Sequence, residues 1–313
     1  MPLGIDPVVV AFGLGVGILI GLTGIGGGSL MTPLLILVVG VQPVVAIGTD
    51  LAYGAVTKTL GGWRHLRKGT VDMSVSLWLA CGSVPGSLVG VWLIGRLHHL
   101  YGSDFDSILL TAVAGALLVV AIAILARALF LPKLVARERD SADLSGGMKA
   151  WAVALGFVLG LILGLTSVGS GALIGLVLIL VFRLTPRRVV GTDVFHAAML
   201  LWVAGFAHFV SGNVDLGLMA NILLGSLPGV WIGTQLIDRV PANGLRPALG
   251  CVLLGSALGV LTKAGVNVPV AAIVGVPVTT GAFAAIIHRR RTGRPPAESH
   301  PTPPGPPIAE VAP

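Results

Sequence analysis

The stretch GLTGIGGGS (residues 21–29) interrupts one of the most apolar segments of the chain, and GLTSVGSGA (164–172) interrupts another one 143 positions later. Glycine inside a helix costs about 1 kcal/mol relative to alanine. Two glycine clusters at matched positions therefore predict two helices that are each broken near the middle.

The composition indicates an all-α polytopic membrane protein. Hydrophobic residues make up 55% of the 313 residues and charged residues only 11%, whereas a soluble domain carries about 25% charged residues. Apolar runs recur from Val8 to Ile287, and several exceed the roughly 20 residues that a spanning helix needs. The runs are continuously apolar rather than alternating, which argues against a β-barrel.

Two further features concern processing and packing. No Lys or Arg precedes Lys58, so the first apolar segment lacks the charged region of a secretory signal and is expected to belong to the mature fold. Cys81 and Cys251 lie inside apolar runs without CxxC spacing, and we expect both to be small packing residues.

The chain contains an internal duplication. At an offset of 143, GTD (48–50) aligns with GTD (191–193) and GSVPG (82–86) with GSLPG (225–229), without a gap between them. Apolar composition alone does not preserve Gly, Pro and Asp in register. We therefore expect a first transmembrane repeat (1–130), a polar cytoplasmic linker (131–149), a second transmembrane repeat (150–264), an extra C-terminal transmembrane helix (265–288) and a disordered Pro-rich tail (289–313).

The placement of Lys and Arg predicts that the two repeats are inverted. Suppose that the long first segment of each repeat (7–40 and 150–182) enters the membrane, turns at its glycines and leaves on the same side. Each repeat then makes three crossings, and one side of the membrane receives 18 of the 20 Lys and Arg residues, all except Arg96 and Lys263. The positive-inside rule favours this topology over single crossings by the long segments, which divide the charges more evenly.

The glycine runs predict a binding site for an anion. Backbone that turns at membrane depth has to be buried in protein or line a watery cavity. After each run a half-helix is expected to begin, at about 29–30 and 172–173, and its first amides lack intrahelical partners and carry the positive end of the helix dipole. Two such ends near the midplane would hold an anion, as in secondary transporters with broken helices.

The predicted substrate-binding residues come from the two runs and from the GTD motifs. They are Gly24, Gly26, Gly27, Gly28, Ser29, Ser167, Gly169, Ser170, Gly171, Thr49 and Thr192. The alternative is that the glycines only allow close helix packing of the GxxxG kind, which is common in membranes.

Ionisable residues follow each glycine run. GTD places Asp50 and Asp193 a turn or two inside the second helix of each repeat, where an ionisable side chain is a functional candidate. Asp193 and His196 share a helix face, and His titrates near neutrality. We therefore predict that Asp50, Asp193 and His196 are candidates for carrying a coupling proton. The alternative is that each aspartate caps a helix end near the interface; for Asp72 and Asp215 we expect capping.

Three stretches resemble the sulfite exporter TauE/SafE family of bacterial membrane transporters: GLTGIGGGSLMTPLL (21–35), GTDLAYGAVTKTLGGWRHLRKGTVD (48–72) and GSVPGSLVG (82–90), each with its second-half counterpart. The resemblance covers about 10–262. It implies an inner-membrane permease for sulfur-containing anions such as sulfite or organosulfonates, driven by an ion gradient. Many members of the family have Ser where Asp50 and Asp193 stand, and this departure concerns the substrate or the coupling.

We therefore expect a secondary active transporter of small anions, with an anionic substrate and the lipid bilayer as its partners. The N-terminus is expected outside and the C-terminal tail in the cytoplasm. No cofactor, metal or nucleic acid is expected, and the oligomeric state is left open. The alternatives are an anion channel and an intramembrane enzyme, for which Asp193 and His196 form the only local pair of catalytic residue types.

Replacing Gly27 or Gly171 with Leu is expected to abolish transport while membrane insertion is retained, because the side chain would occupy the place of the anion. The measurements are flux in proteoliposomes and the amount of protein in the membrane fraction. Full activity of both variants would favour the packing alternative.

Overall fold

The computed structural model describes residues 4–23, 27–130, 140–142, 144–236 and 242–292, and every regular element in these ranges is a helix. The predicted all-α fold class is confirmed. Residues 131–139 and 143 of the predicted linker, and residues 293–313 of the predicted tail, lie outside the described residues. Residues 289–292, predicted to be the start of the disordered tail, form the end of the last described helix. Five described helices are long and apolar enough to cross a membrane: Met73–Tyr101, Phe105–Ala126, Gly146–Thr166, Pro186–Val210 and Leu216–Leu236.

The first repeat has its break in the first glycine run. Its described helices are α1 (Pro7–Thr23), α2 (Gly28–Leu34), which continues as a π-helix (Leu35–Val39), α3 (Pro43–Arg67), α4 (Met73–Tyr101) and, after a 3-10 turn (Gly102–Asp104), α5 (Phe105–Phe130). Proline begins α3, where it costs nothing, because an N–H at the first helical position would have no partner within the helix and proline lacks this group.

The second repeat follows the same order. Its helices are α6 (Gly146–Thr166), α7 (Leu173–Leu180), α8 (Pro186–Val210), α9 (Leu216–Leu236) and α10 (Ala242–Lys263), and α11 (Val270–Thr292) comes after it. The local signals repeat as well. Gly40 and Arg183, at matched positions, follow the short second helix of each repeat and both adopt left-handed backbone, with φ of 78° and 52°.

Aspartate caps set the starts of the third long helix in each repeat. The Asp72 Oδ1 accepts a hydrogen bond from the Val75 N–H at 3.1 Å, and the Asp215 Oδ1 accepts one from the Leu218 N–H at 2.9 Å. These bonds satisfy N–H groups that a helix start leaves without partners. The predicted capping roles of Asp72 and Asp215 are confirmed.

Helices from different repeats pack backbone to backbone through glycine. On α1, a Cβ added to Gly13 would lie 2.7 Å from the Ile222 carbonyl oxygen of α9, and one added to Gly17 would lie 2.5 Å from that of Ser226. The residue numbers rise together, so α1 and α9 run parallel. Small residues allow such close approach of helices in membranes.

In the duplication α6 is equivalent to α1 and α4 is equivalent to α9, and α4 and α6 pack on each other in the same way. A Cβ on Gly160 would lie 2.6 Å from the Ser83 Cα, and one on Gly164 would lie 3.0 Å from the Ser87 Cα. These helices also run parallel. Each repeat therefore contributes one helix to each of two glycine-lined pairs.

Equivalent helices of the two repeats run in opposite directions. Gly54 of α3 lies beside Leu201 of α8, whereas Gly61, two turns later, lies beside Val194. Because one number falls as the other rises, α3 and α8 are antiparallel. The antiparallel course of these two equivalent helices agrees with inverted repeats.

The chain turns back at the first glycine run. The Asp6 N–H donates to the Asn221 Oδ1 and the Asp215 N–H donates to the Thr49 Oγ1, which places the starts of α1 and α3 at the start of α9. Since α1 runs away from this end, the segment 28–39 has to return to it. α1 and α2 therefore form a hairpin rather than one rod.

The expectation for one cysteine is wrong. Cys81 is exposed on α4, because this helix buries the sides that carry Leu79 and Gly82, whereas Cys251 on α10 is half-buried.

Gly82→Ala is expected to destabilise the protein, since the added Cβ would overlap the Val153 carbonyl oxygen of α6. Overpacking of this kind costs about 1–3 kcal/mol. The matched control is Gly95→Ala on the same helix, where no atom lies within 4 Å of the new Cβ. The measurement is thermal unfolding of the purified protein in detergent, and equal midpoints for the two variants would contradict the close packing of α4 and α6.

Candidate functional site

The second break is a tight turn built from left-handed residues. α6 ends at Thr166, and the N–H of the next residue, Ser167, donates to the Leu163 carbonyl oxygen at 2.7 Å. Ser167 itself has left-handed backbone, with a φ of 59°. Gly169 and Gly171 follow with φ of 118° and 110°. Side chains strain this backbone, which glycine adopts freely. The glycines here are therefore required by the turn itself.

The first break is described from Gly27 onward, and Gly24 and Gly26 lie outside the described residues. The Gly27 carbonyl oxygen accepts hydrogen bonds from the N–H groups of Leu30 and Met31 at 3.0 and 2.8 Å, which begins α2. The half-helices start at Gly28 and Leu173. These starts lie at or within a residue or so of the predicted ones.

The two breaks meet in the middle of the fold. A Cβ added to Gly28 would lie 2.9 Å from the Ser167 carbonyl oxygen and 3.1 Å from the Ser170 Oγ. Residues of the two matched glycine runs thus come together from the two repeats. We call the group of Gly28, Ser167, Ser170 and the side chains bonded to them the junction.

Asp50 ties the two breaks to each other. Its Oδ2 accepts a hydrogen bond from the Thr32 Oγ1 of α2 at 2.6 Å and another from the Ser167 Oγ of the second break at 2.8 Å. The side chain is 1% exposed. Gln42 occupies the N-cap position of α3, so Asp50 is not the helix cap that the alternative interpretation expected.

Several buried polar groups at or beside the junction have no partner among the described residues. They are the Oγ atoms of Ser29 and Ser170 and the Oδ1 of Asp50. The N–H groups of residues 170–172 also form no hydrogen bond to another described backbone group. Buried polar groups are nearly always hydrogen-bonded, and unpaired ones indicate a functional role or an unseen ligand.

The two predicted threonines hold the repeats together. The Asp72 N–H donates to the Thr192 Oγ1 at 2.8 Å, and the Asp215 N–H donates to the Thr49 Oγ1 at 3.0 Å. Both bonds join the two repeats, and they occupy equivalent positions in the duplication. These oxygens therefore have structural partners, and a role in substrate binding stays a prediction.

The pair in the second repeat is arranged differently from Asp50. His196 is buried, with its Nε2 3.1 Å from the Ser83 Oγ and its Nδ1 3.2 Å from the Ser76 carbonyl oxygen, both on α4. A carbonyl oxygen only accepts, so Nδ1 carries a hydrogen and the serine hydroxyl can donate to Nε2. Asp193 is also buried, at 8% exposure.

Three residues at this site were missed by the sequence reasoning as binding or coupling groups. Thr32 follows Ser29 at i+3 and therefore shares its helix face. Tyr53 is the counterpart of His196 at the offset of 143 and is buried beside Ser226. Lys58 is half-buried on α3, in the stretch between Gly54 and Gly61 that packs against α8 next to Asp193. Helical spacing and the duplication could have indicated the first two.

Apolar spanning helices, two of them broken and brought together around buried polar groups, define a membrane transporter. The chain belongs to the family described as Sulfite exporter TauE/SafE, whose profile matches residues 9–260. The resemblance seen in the sequence motifs is confirmed.

The relatives of the chain carry the same class of name. The probable membrane transporter protein YjnA of Bacillus subtilis is 38% identical over 250 residues, which cover 80% of this chain and 97% of that protein. A second one from the same organism, YdhB, is 30% identical over 238 residues, with coverage of 74% and 91%. A probable membrane transporter protein of Xylella fastidiosa is 28% identical over 269 residues, with coverage of 83% and 97%. No solved structure matches the chain significantly.

Gly28→Ala is expected to lower transport by about tenfold or more, which about 1.4 kcal/mol of strain suffices to produce. The physical reason is that the new Cβ would press on the Ser167 backbone and force the breaks apart. Gly15→Ala on α1, where no atom lies within 4 Å of the Cβ, is the matched control. Flux in proteoliposomes is the measurement, and equal flux through both variants would contradict a close junction.

Proposed function

We propose that the chain is a secondary active transporter of small anions, with sulfite or organosulfur anions as substrates and an ion gradient as the driving force. The observation that supports this proposal is the junction, where two helix breaks meet and where the buried hydroxyl groups of Ser29 and Ser170 have no partner in the described parts of the chain. Donors that are already buried and oriented bind an anion without further loss of conformational entropy.

The chemistry of the junction suits an oxyanion. The hydroxyl groups of Ser29 and Ser170 are donors, and so are the N–H groups of residues 170–172 at the start of α7. Uncharged donors of this kind hold an anion without an ion pair that would be slow to separate. A sulfite or sulfonate group has three oxygen atoms that accept such bonds, and the family description supports a substrate of this class.

We further propose an inverted topology in a bacterial inner membrane, with the N-terminus outside and the C-terminal tail in the cytoplasm. The antiparallel course of α3 and α8 supports the inversion, since these helices are equivalent in the duplication. The distribution of Lys and Arg supports the orientation. In this proposal residues 1–130 and 150–264 form the two transport repeats, and α11 and the tail lie outside them.

Two alternatives differ from this proposal in testable ways. An anion channel would share the broken helices but conduct without a closed binding site, whereas the junction buries its donors. An intramembrane enzyme would need a free base, and both nitrogens of His196 are engaged by α4. The buried junction therefore favours a carrier.

The test is transport by the purified protein in proteoliposomes, with labelled sulfite, methanesulfonate, isethionate and sulfoacetate. We expect saturable uptake and counterflow, in which unlabelled anion inside the vesicles drives uptake of labelled anion. Empty liposomes are the control. Flux that does not saturate and shows no counterflow would favour the channel, and no flux of any of these anions under any imposed gradient would contradict the proposal.

A further inference from the structure

The two repeats match in their helices but differ in the polar residues at the junction. Thr32 and Ser167 donate to Asp50. At the offset of 143, the residue that matches Thr32 is Gly175 and the residue that matches Ser167 is Gly24. Asp193, the counterpart of Asp50, therefore cannot receive the two equivalent hydroxyl bonds. Thr32 and Ser167 thus connect Asp50 to the junction through side-chain hydroxyl groups that the second repeat does not reproduce.

The hydrogen bonds of Asp50 suit a carboxylic acid. Its Oδ2 accepts two O–H donors, which fills both lone pairs of a carbonyl-type oxygen. Its Oδ1 is buried and has no donor among the described residues. An ionised carboxylate would leave that oxygen charged and unpaired, which is costly in a buried place. A proton on Oδ1 turns this oxygen into a donor.

The charged and titratable groups around Asp50 are few. On its own helix α3 they are Tyr53 and, about two turns away, Lys58. On α8, which packs against α3, the buried titratable side chains are Asp193, His196 and His208, and the His208 Nε2 lies 3.0 Å from the Gly164 carbonyl oxygen beside the second break. Among the described residues, α2 and the second break present uncharged groups to Asp50, namely the hydroxyl groups of Thr32 and Ser167 and the Thr32 backbone N–H.

One positive charge, that of Lys58, lies between the two aspartates along the packed helices. Lys58 has no counterpart in the second repeat, where Leu201 stands at the matched position. It lies about two turns after Asp50, in the stretch of α3 between Gly54 and Gly61 that packs against Leu201 and Val194 of α8, and Asp193 is next to Val194. If both carboxyl groups were ionised, one negative charge would be uncompensated where an anion has to bind. Protonation of one of them removes this repulsion.

We propose that each anion is carried together with one proton, which is bound by Asp50 at Oδ1 and donated as a hydrogen bond to the anion. Asp193 stays ionised as the counter-charge of Lys58. His196, held by α4, takes no part in coupling. This inference rests on the proposed function, and it adds the coupling ion, its residue and its stoichiometry.

The coupling has a measurable consequence. One proton with one monovalent anion is electroneutral, so the membrane potential should not change the accumulation ratio. A gradient of one pH unit should sustain about tenfold accumulation of the anion. Sulfite takes up protons itself near neutral pH, so the probe has to be a sulfonate such as methanesulfonate, which stays ionised.

The first experiment uses the wild-type chain in proteoliposomes that contain a pH-sensitive dye. Methanesulfonate is added outside, with potassium and valinomycin clamping the membrane potential. We expect the lumen to acidify as the anion enters, with one proton for each labelled anion. Flux of methanesulfonate without proton movement would overturn the inference and leave the proposed function standing. No flux of this or any other anion of the panel would overturn the proposed function itself.

The second experiment identifies the residue. Asp50→Asn is permanently neutral and keeps an acceptor oxygen and a donor, so it imitates the protonated acid. We expect counterflow that is slower than in wild type but clearly above that of empty liposomes, and loss of the pH-driven, about tenfold accumulation. Asp193→Asn should still accumulate the anion in response to the pH gradient. Asp106→Asn, which removes an exposed carboxyl at the start of α5, is the neutral control.

Three outcomes would contradict the assignment of the proton to Asp50. Accumulation driven by pH in Asp50→Asn, or its loss in Asp193→Asn alone, would overturn the assignment to Asp50. Loss of counterflow in a folded Asp50→Asn protein would also overturn it, because the neutral side chain should still admit the anion. Thermal unfolding reports whether the variant is folded. If it is not, Asp50→Ser, which keeps a small uncharged hydroxyl side chain, takes its place with the same expectations.

Discussion

The structure depends on the contact between two interrupted helices. A peptide group that leaves a helix within a membrane finds no partner in lipid, so it has to be enclosed by protein or reached by water. Here each interruption encloses the other: Gly28 lies against Ser167 and Ser170, and Asp50 receives a hydroxyl group from both sides. Gly28 is required by this contact, because any side chain there would keep the two backbones apart, whereas Gly169 and Gly171 are required by their left-handed backbone.

The junction is held in place by an exchange of partners between the repeats. The hairpin of the first repeat packs through α1 on α9 of the second, and α6 of the second packs on α4 of the first. The first helix of each repeat thus packs on a helix of the other repeat. The reciprocal bonds of Thr49 and Thr192 to the opposite helix caps secure the same exchange.

Duplication and specialisation coexist at the centre. The backbone features recur in both repeats, including the prolines that begin α3 and α8 and the left-handed residues Gly40 and Arg183. Three polar side chains at the centre do not recur, since the positions that match Thr32, Ser167 and Lys58 hold Gly175, Gly24 and Leu201. A symmetric frame thus carries an asymmetric set of polar side chains.

Much of this arrangement could be derived from the order of residues. Continuous apolar runs indicate spanning helices, glycine clusters indicate breaks, and a match at a constant offset indicates two repeats, because each of these is a local property of the chain. The starts of the half-helices and the capping by Asp72 and Asp215 belong to the same category. The expectation for Cys81 was wrong because an apolar run does not state which of its faces meets another helix.

The remaining features required the tertiary structure. Asp50 and Asp193 look alike in GTD, and only the folded chain shows that one lies between Thr32 and Ser167 while His196, beside the other, bonds to α4. Ser167 is 117 positions from Asp50, and no local pattern determines which distant hydroxyl will reach a given carboxylate. Local sequence determines where a helix can begin, bend or end, since those are properties of neighbouring residues. Which side chains meet at the centre is decided by how whole helices pack.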